Sequence, residues 1–392
     1  MALPRAPNGG SYDERVAAIS SLLIDRASLE VAWDDGTTTR YPWIWLRDHA
    51  HDDDTLHPVT QQRQLDTASV PASLTAHDVA LLDGALEIGW GDGSPTSVLP
   101  VEFLARFRIP VPPRAAIDTD VRLWDAASIT EDVPKVAWED VMESEDGVAA
   151  WLGRTVRDGF CIVAGTPPTP EATEALLRRI GYVRETIFGG MWDFTADLAK
   201  ADTAYTNLEL RPHTDGTYSH DAPGVQLLHC LHFEGSGGES TMVDAFAIAD
   251  RLQCEAPEHF ATLSRVVVPG QYVGDGSHLV AARPVFRHDH TGRLMQVSFN
   301  NYDRAPFLLP EDEMIAFYDA LRAFEAIAND RSMQWRHVLA PGEALLFDNW
   351  RILHGRAAYT GLRRLCGGYV NKEDVESRLR TSTAATAAPA TL

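Results

Sequence analysis

Cysteine is scarce in this sequence. The 392 residues contain four of them, Cys161, Cys230, Cys254 and Cys366, and none belongs to a C-x-x-C pair. This number and spacing argue against a disulfide framework and a cysteine-based zinc knuckle, and they favour a reducing compartment. We therefore expect a cytoplasmic protein.

Positive charge and long apolar runs are also in short supply. Lysine and arginine number 34 against 56 acidic residues, which gives a formal net charge of −22. Phosphate backbones and anionic lipids repel such a chain, so nucleic acid and membrane surfaces are poor partners, whereas a cationic ligand suits the field. No run approaches the roughly 20 apolar residues of a membrane-spanning helix. The first residues resemble neither a signal peptide nor an arginine-rich transit peptide.

The rest of the composition is that of a globular protein, with 45% hydrophobic and 23% charged residues. Short alternating segments flank D-G turn signals at 29–42 and 85–100, as β-hairpins require. Residues 16–107 are therefore predicted to form a small β-rich domain. The Pro- and Asp-rich residues 108–135 are predicted to be a linker.

Residues 136–380 are predicted to form a second, mainly β domain that also contains helices. Helical patterns cover 139–158, 170–181 and 311–328. After residue 205, short apolar segments bounded by Gly, Pro, Asn and Asp follow one another, which is typical of a jelly roll, the double-stranded β-helix. The fold class is thus α+β and mainly β, and residues 381–392 are predicted to be a disordered tail.

Three polar residues form a candidate metal site. The segment R-P-H-T-D-G places His213 and Asp215 two residues apart, so both side chains point the same way on an extended segment. His354 is the candidate third ligand, because two histidines and one carboxylate form the facial triad of Fe(II) oxygenases. On pattern alone, a structural role for His213 at a strand edge stays equally open. A second H-x-D pair, His51 and Asp53, is better explained as a polar loop.

A candidate co-substrate anchor lies in the strand segment R-R-L-C-G-G-Y-V. Strand alternation places Arg363 and Tyr369 on one face and Arg364 on the other. A 2-oxoglutarate that chelates iron through its keto acid needs a cation for its distal carboxylate, and the arginine fork suits this group best. One of the two arginines must face inward, where it needs a partner. The alternation itself leaves open which one does.

Taken in order, these residues resemble the γ-butyrobetaine hydroxylase and trimethyllysine dioxygenase family of TauD-like Fe(II)/2-oxoglutarate dioxygenases. The resemblance extends from W-I-W-L-R-D-H-A at residue 43 to E-D-V-E-S-R-L-R at residue 380. Its long motifs include Q-R-Q-L-D-T-A-S-V, F-N-N-Y-D-R and D-N-W-R-I-L-H-G-R-A-A-Y-T-G-L-R-R-L-C-G-G-Y. F-N-N-Y-D-R and Y-T-G-L-R-R-L-C-G-G-Y look closer to the trimethyllysine branch.

The resemblance implies a role for each matching position. It implies that Fe(II) is held by His213, Asp215 and His354, and that 2-oxoglutarate is held by Arg363 and Ser240. O2 is the second co-substrate, and ascorbate is a candidate activator. The implied substrate-binding positions are Phe188, Trp192, Tyr205 and Tyr369 around a trimethylammonium group, with Asp202, Asn300, Asn301 and Arg211 toward its other end.

The chemistry of the trimethylammonium group explains why the positions around it are aromatic. A quaternary ammonium cannot donate a hydrogen bond, so aromatic faces recognise it through cation–π attraction and apolar contact. Trp192 and Tyr205 are suitable residue types, whereas Phe188 is a weaker wall at a position where tyrosine is commoner in the family. Each aromatic, taken singly, is also explained by core packing.

The N-terminal domain departs from the family pattern. The family often carries a zinc ion held by cysteines just after the R-D pair, but here the run is R-D-H-A-H-D-D-D-T-L-H-P. An N-terminal zinc is therefore not expected. A substitute site made of His49, His51 and His57 is conceivable, and a metal-free polar loop is the preferred interpretation.

The sequence thus predicts a dioxygenase that hydroxylates a carbon of a small cationic or zwitterionic trimethylammonium compound and releases succinate and CO2. Trimethyllysine, γ-butyrobetaine and 2-(trimethylammonio)ethylphosphonate are candidate substrates, which the sequence does not separate. Alternatives are the same chemistry on a non-quaternary small molecule, a non-catalytic quaternary-ammonium-binding protein and a hydrolytic zinc enzyme. A homodimer is compatible with the sequence.

Overall fold

The structure is a computed structural model, and it describes residues 17–108, 121–195, 207–274 and 276–384. The chain separates into two units, Met1–Pro113 and Arg114–Thr391. None of the helices in the described ranges combines the length and the apolar character needed to cross a bilayer.

The first unit contains two three-stranded antiparallel sheets. Their strands are β1 (Ile19–Ile24), β2 (Ser28–Trp33), β3 (Thr38–Pro42), β4 (Ala76–Leu82), β5 (Ala85–Trp90) and β6 (Ser97–Pro100), and the helices are α1 (Trp43–Asp48) and α2 (Val101–Arg106). Both predicted hairpins are present, as the pairs β2–β3 and β5–β6. Gly36, in the first turn, has φ +82°, a conformation that disfavours any side chain. Leu29, Trp33 and Leu86 lie in the core of this unit.

Residues 121–135 were predicted to belong to a linker, but they are folded into the second unit. Trp124 is buried, and its indole N–H donates to the Asp158 carbonyl at 2.6 Å. Asp125 caps helix α3 (Ala126–Glu131), whose Ile129 is fully buried. The predicted linker was therefore too long. Its aspartate-rich composition suggested a loop, but Asp125 caps a helix.

The helix predicted over 139–158 is two helices, α4 (Trp138–Glu143) and α5 (Glu145–Asp158). Ser144 separates them, because its hydroxyl accepts a hydrogen bond from the Gly147 N–H at 2.9 Å and caps α5. The predicted helix over 170–181 is present as α6 (Pro170–Ile180).

Two facing sheets form the double-stranded β-helix of the second unit, so the predicted fold is confirmed. The larger sheet has the order β7-β8-β18-β11-β20-β9 and the smaller has β10-β19-β12-β17. These strands are β7 (Lys135–Ala137), β8 (Phe160–Ala164), β9 (Met191–Thr195), β10 (Leu210–His213), β11 (Val225–Gly237), β12 (Ser240–Asp244), β17 (Trp335–His337), β18 (Glu343–Asp348), β19 (Ile352–Arg356) and β20 (Tyr359–Val370). Phe160 and Phe347 of the larger sheet pack with Met242 and Ile352 of the smaller one.

The remaining elements surround these sheets. They are α7 (Ala245–Glu255), α8 (Pro257–Arg265), β13 (Val267–Gly274), β14 (Ser277–Pro284), β15 (Phe286–His288), β16 (Leu294–Val297), α9 (Glu311–Ala328) and α10 (Lys372–Ala384). Helix α9 has the predicted bounds. Helix α10 continues four residues into the segment that was predicted to be a disordered tail, and residues 385–392 lie outside the described ranges.

Candidate active site

The candidate metal ligands meet where two strands of the smaller sheet pair. His213 ends β10 and lies directly opposite His354 of β19 in the antiparallel register. Asp215 follows two residues later, and its two oxygens lie 3.4 Å from His213 Nε2 and 3.5 Å from His354 Nε2. One ligand atom from each of the three residues lies within 4.8 Å of the others. Strand pairing therefore joins two ligands that are 141 residues apart in sequence.

Neighbouring groups fix the orientation of His213 and Asp215. His213 Nδ1 lies 2.8 Å from the Arg211 carbonyl oxygen, which can only accept, so Nδ1 carries the proton and Nε2 presents its lone pair. The Asp215 backbone N–H donates to Asn349 Oδ1 at 2.8 Å, and the Tyr369 hydroxyl donates to Asp215 Oδ2 at 2.7 Å. Such supporting hydrogen bonds are typical of metal ligands.

The electrostatics also favour a cation. Burial raises the pKa of Asp215, but the two imidazoles outweigh burial and hold this pKa well below its usual value. Burial and the neighbouring His213 lower the pKa of His354, against the opposing effect of Asp215. An anionic carboxylate and two imidazole nitrogens aimed at one point are the donor set that Fe(II) oxygenases use, and the residues present fit that metal.

The three histidines of the conceivable N-terminal metal site each contact other groups of the N-terminal unit. His49 stacks on Trp45 at 4.5 Å, His51 lies edge-on to Phe103 at 4.6 Å, and the His57 ring accepts from two backbone N–H groups. Within the part of the chain that the structure describes, the triad is the one cluster of three or more candidate metal ligands.

A cavity of about 640 Å³ opens beside the triad and contains the predicted co-substrate residues. Arg363 and Ser240 line it, whereas Arg364 faces outward and pairs with Asp193 at 3.0 Å. The Arg363 guanidinium is buried 5.6 Å from the Tyr359 ring centroid. Burial and the neighbouring Arg356 lower the pKa of Arg363 to about 10. Among residues 17–108, 121–195, 207–274 and 276–384 it has no hydrogen-bond or ion-pair partner, as a site for an incoming carboxylate requires.

Three of the four predicted aromatics also line the cavity, namely Phe188, Trp192 and Tyr369. Trp192 lies edge-on to Tyr369 with 5.7 Å between ring centroids, and Tyr369 in turn contacts the metal ligand Asp215. The aromatic wall therefore adjoins the metal site. The fourth aromatic, Tyr205, and the acidic residue Asp202 lie outside the described residues.

Of the other predicted substrate-binding residues, one lines the cavity and two do not. Asn300 lines the cavity and donates from Nδ2 to Asp303 Oδ2 at 2.8 Å. Asn301 does not line it, because its amide points away to Glu325. Arg211 is exposed and also does not line the cavity. The buried residues of β10 are its neighbour Pro212 and the ligand His213.

The sequence analysis missed several cavity residues. Tyr218 and Tyr272 extend the aromatic wall, with Tyr272 5.3 Å from Tyr218 and 5.6 Å from Phe188. Tyr272 lies on the β13–β14 hairpin, and no local pattern marks it. Sequence reasoning could have found Arg356. It lies two residues after His354 on β19, and strand alternation places both side chains on the same face.

The comparisons with known proteins agree with this geometry. Residues 123–369 match the family described as Taurine catabolism dioxygenase TauD, TfdA family, and residues 21–105 match the family described as Gamma-butyrobetaine hydroxylase-like, N-terminal. The chain belongs to the TauD/TfdA dioxygenase family. It is an Fe(II)- and 2-oxoglutarate-dependent dioxygenase, as predicted.

Named relatives cover nearly the whole of this family member. It is 36% identical to trimethyllysine dioxygenase of Meyerozyma guilliermondii, over 91% of this chain and 93% of the relative. It is also 36% identical to mitochondrial trimethyllysine dioxygenase of Homo sapiens, over 88% and 83%. Gamma-butyrobetaine dioxygenase of Pseudomonas sp. (strain AK-1) is 30% identical, over 93% and 96%.

Proposed function

We propose that this dioxygenase hydroxylates a carbon of a small trimethylammonium compound that also carries an acidic group. The observation that carries this proposal is the aromatic wall joined to the metal site through the Tyr369–Asp215 hydrogen bond. A quaternary ammonium held against Trp192 and Tyr369 would place the adjoining carbons close to the iron. The names of the relatives, trimethyllysine dioxygenase and gamma-butyrobetaine dioxygenase, support the same substrate class.

The chain's own residues would mainly position the reactants. Bound iron and 2-oxoglutarate supply the oxidising chemistry, with release of succinate and CO2. His213, Asp215 and His354 would hold the metal, and Arg363 with Ser240 would bind the distal carboxylate of 2-oxoglutarate. The aromatic wall would fix the ammonium so that one C–H bond faces the iron.

The test is a 2-oxoglutarate turnover screen with trimethylammonium compounds that have different acidic ends. Trimethyllysine, γ-butyrobetaine and 2-(trimethylammonio)ethylphosphonate are the first to try. An analogue with a tert-butyl group in place of trimethylammonium keeps the shape and loses the charge. It should bind more weakly by on the order of 1–3 kcal/mol, because several cation–π contacts are lost.

Trp192→Leu supplies the matched protein variant. It keeps an apolar wall and removes the best π face, so it should narrow the difference in affinity between the cationic and the neutral compound. Equal binding of the two compounds to the wild-type protein, measured by calorimetry, would contradict the proposal.

The cytoplasmic location and the homodimer stay predictions. Sedimentation velocity tests the assembly, and fractionation of cells that express the full chain tests the location.

A further inference from the structure

A second, much smaller cavity of about 20 Å³ adjoins the active-site cavity, and Asn300 lines both. Its other lining residues come from the β13–β14 hairpin, from the segment that follows the metal ligand Asp215, and from helix α9, and they include Val268, Thr217 and Leu321. A space of roughly 10–15 Å³ is enough for one water molecule. The small cavity can therefore take one water molecule or one monatomic ion, and it excludes larger ligands.

Two arginines line this small cavity, Arg283 of β14 and Arg304. Arg283 is 8% exposed, and its Nη2 donates to the Ser219 carbonyl oxygen. The Arg304 guanidinium lies 5.6 Å from the Tyr318 ring centroid. The Nη1 atom of each arginine is buried, and within the described ranges it has no hydrogen-bond partner. Each guanidinium therefore retains a buried donor that a ligand in the cavity can use.

The charge of Arg283 is poorly compensated by its surroundings. Burial and the neighbouring Arg287 lower the pKa of Arg283, against the opposing effect of Asp221. Asp221 itself pairs with Arg184 at 2.6 Å, so its charge is shared with another cation. A buried charge is normally paired or bound to an ion of opposite sign, and Arg283 thus favours an anion nearby.

The carboxylate of Asp303, next to Arg304 in sequence, faces the larger cavity. It lines that cavity and not the small one. Asn300 Nδ2 donates to Asp303 Oδ2 at 2.8 Å, and the Thr217 hydroxyl donates to the same oxygen at 3.4 Å. Both of these donors line the small cavity and direct their polar atoms to Asp303. Of the described residues that line the small cavity, the charged ones are Arg283 and Arg304, and both are cations.

We propose that a chloride ion binds in the small cavity against Arg283 and Arg304. A water molecule could accept hydrogen bonds from both Nη1 atoms, but it would leave two cations without a counter-charge. A chloride ion accepts the same hydrogen bonds and also supplies the negative charge. Sulfate, phosphate and carboxylate ions are too large for a space of this size.

The bound ion would brace one wall of the active site. Gly270 of β13 approaches the segment after Asp215 so closely that a Cβ atom on it would lie 2.7 Å from the Thr217 backbone. Gly270 also forms a β-bridge with Arg304. The hairpin that carries Tyr272, the turn that carries Arg304 and the iron-binding segment therefore meet beside the small cavity. Chloride held there should stabilise their junction.

The test is a chloride titration of the full chain after exchange into sodium gluconate. Gluconate is too large for the cavity, and mixing the two salts keeps the ionic strength constant. At about ten times its Kd, chloride should raise the Tm of the second unit by roughly 3–6 °C, and the rise should saturate. Sulfate at the same ionic strength should not reproduce a saturating rise.

Matched variants connect the effect to the two arginines. The rise in Tm should be lost in Arg283→Gln and in Arg304→Gln, whereas Arg293→Gln, which changes an exposed arginine, should keep it. Arg304 is the less buried of the two, so Arg304→Gln is the decisive variant if Arg283→Gln fails to fold. If neither variant folds, the position of bromide in crystals of the wild-type protein decides, because bromide replaces chloride and is located by its anomalous scattering.

The expected bromide peak lies next to the Nη1 atoms of Arg283 and Arg304. A Tm that does not depend on chloride at constant ionic strength would overturn the inference. So would an equal rise in Arg304→Gln and Arg293→Gln, or a bromide peak found only elsewhere in the molecule. None of these measurements uses a substrate, so their outcome is independent of the proposed function.

Discussion

Replacing Arg363 tests the assignment of the co-substrate site. The side chain is 9% exposed, and it has no acidic partner among the described residues. Removing it in Arg363→Ala would leave the distal carboxylate of 2-oxoglutarate buried without the guanidinium that pairs with it. Such a loss costs about 2–5 kcal/mol, which corresponds to a rise of roughly 30- to 5,000-fold in the apparent KM for 2-oxoglutarate.

The neighbouring arginine provides the control. Arg364 is the next residue on β20, but it faces outward to Asp193 and its side chain is 45% exposed. An exposed pair of this kind contributes at most about 1 kcal/mol to stability, so Arg364→Ala should leave the KM for 2-oxoglutarate almost unchanged. Arg363→Lys should give an intermediate KM, because it keeps the charge and loses the planar fork.

The assay is succinate formation at saturating substrate while 2-oxoglutarate is varied. The KM for the substrate should change far less than the KM for 2-oxoglutarate in Arg363→Ala. A larger effect of Arg364→Ala, or equal changes in both KM values, would refute the assignment.

Three further predictions concern the metal site and the core. His213→Ala, Asp215→Ala and His354→Ala should each abolish succinate formation with little change in circular dichroism; near wild-type turnover with added iron would exclude that ligand. Tyr369→Phe removes the hydrogen bond to Asp215 and should weaken iron binding by about tenfold or more, measured by metal titration, as loss of a supporting contact does. Burial lowers the pKa of His229 from 6.5 to about 4. The unfolded state therefore binds more protons between these values, and the free energy of unfolding should fall as pH drops from about 6.5 to about 4, by up to about 3 kcal/mol. Urea unfolding of wild type and His229→Gln measures this, and parallel pH dependences would contradict it.

Local sequence periodicity was sufficient to predict which side chains share one face of a strand. The two-residue spacing of His213 and Asp215 and the alternation around Arg363 are properties of an extended strand, so the sequence carried them. The requirement for a third ligand made His354 a candidate, and the family resemblance supported it, since no local pattern joins residues 141 positions apart. The break at Ser144 escaped the helical pattern because a single capping hydroxyl decides it.

The sequence by itself determined the fold class, the metal ligands and the acidic character of the protein. These depend on residue types, on short spacings and on long motifs. Only the tertiary structure decided which side chains line the cavity. It turned Arg211 and Asn301 away, brought Tyr272 in from a hairpin, and brought Arg283 and Arg304 to one small cavity, because strand register and packing between distant segments control where these side chains point.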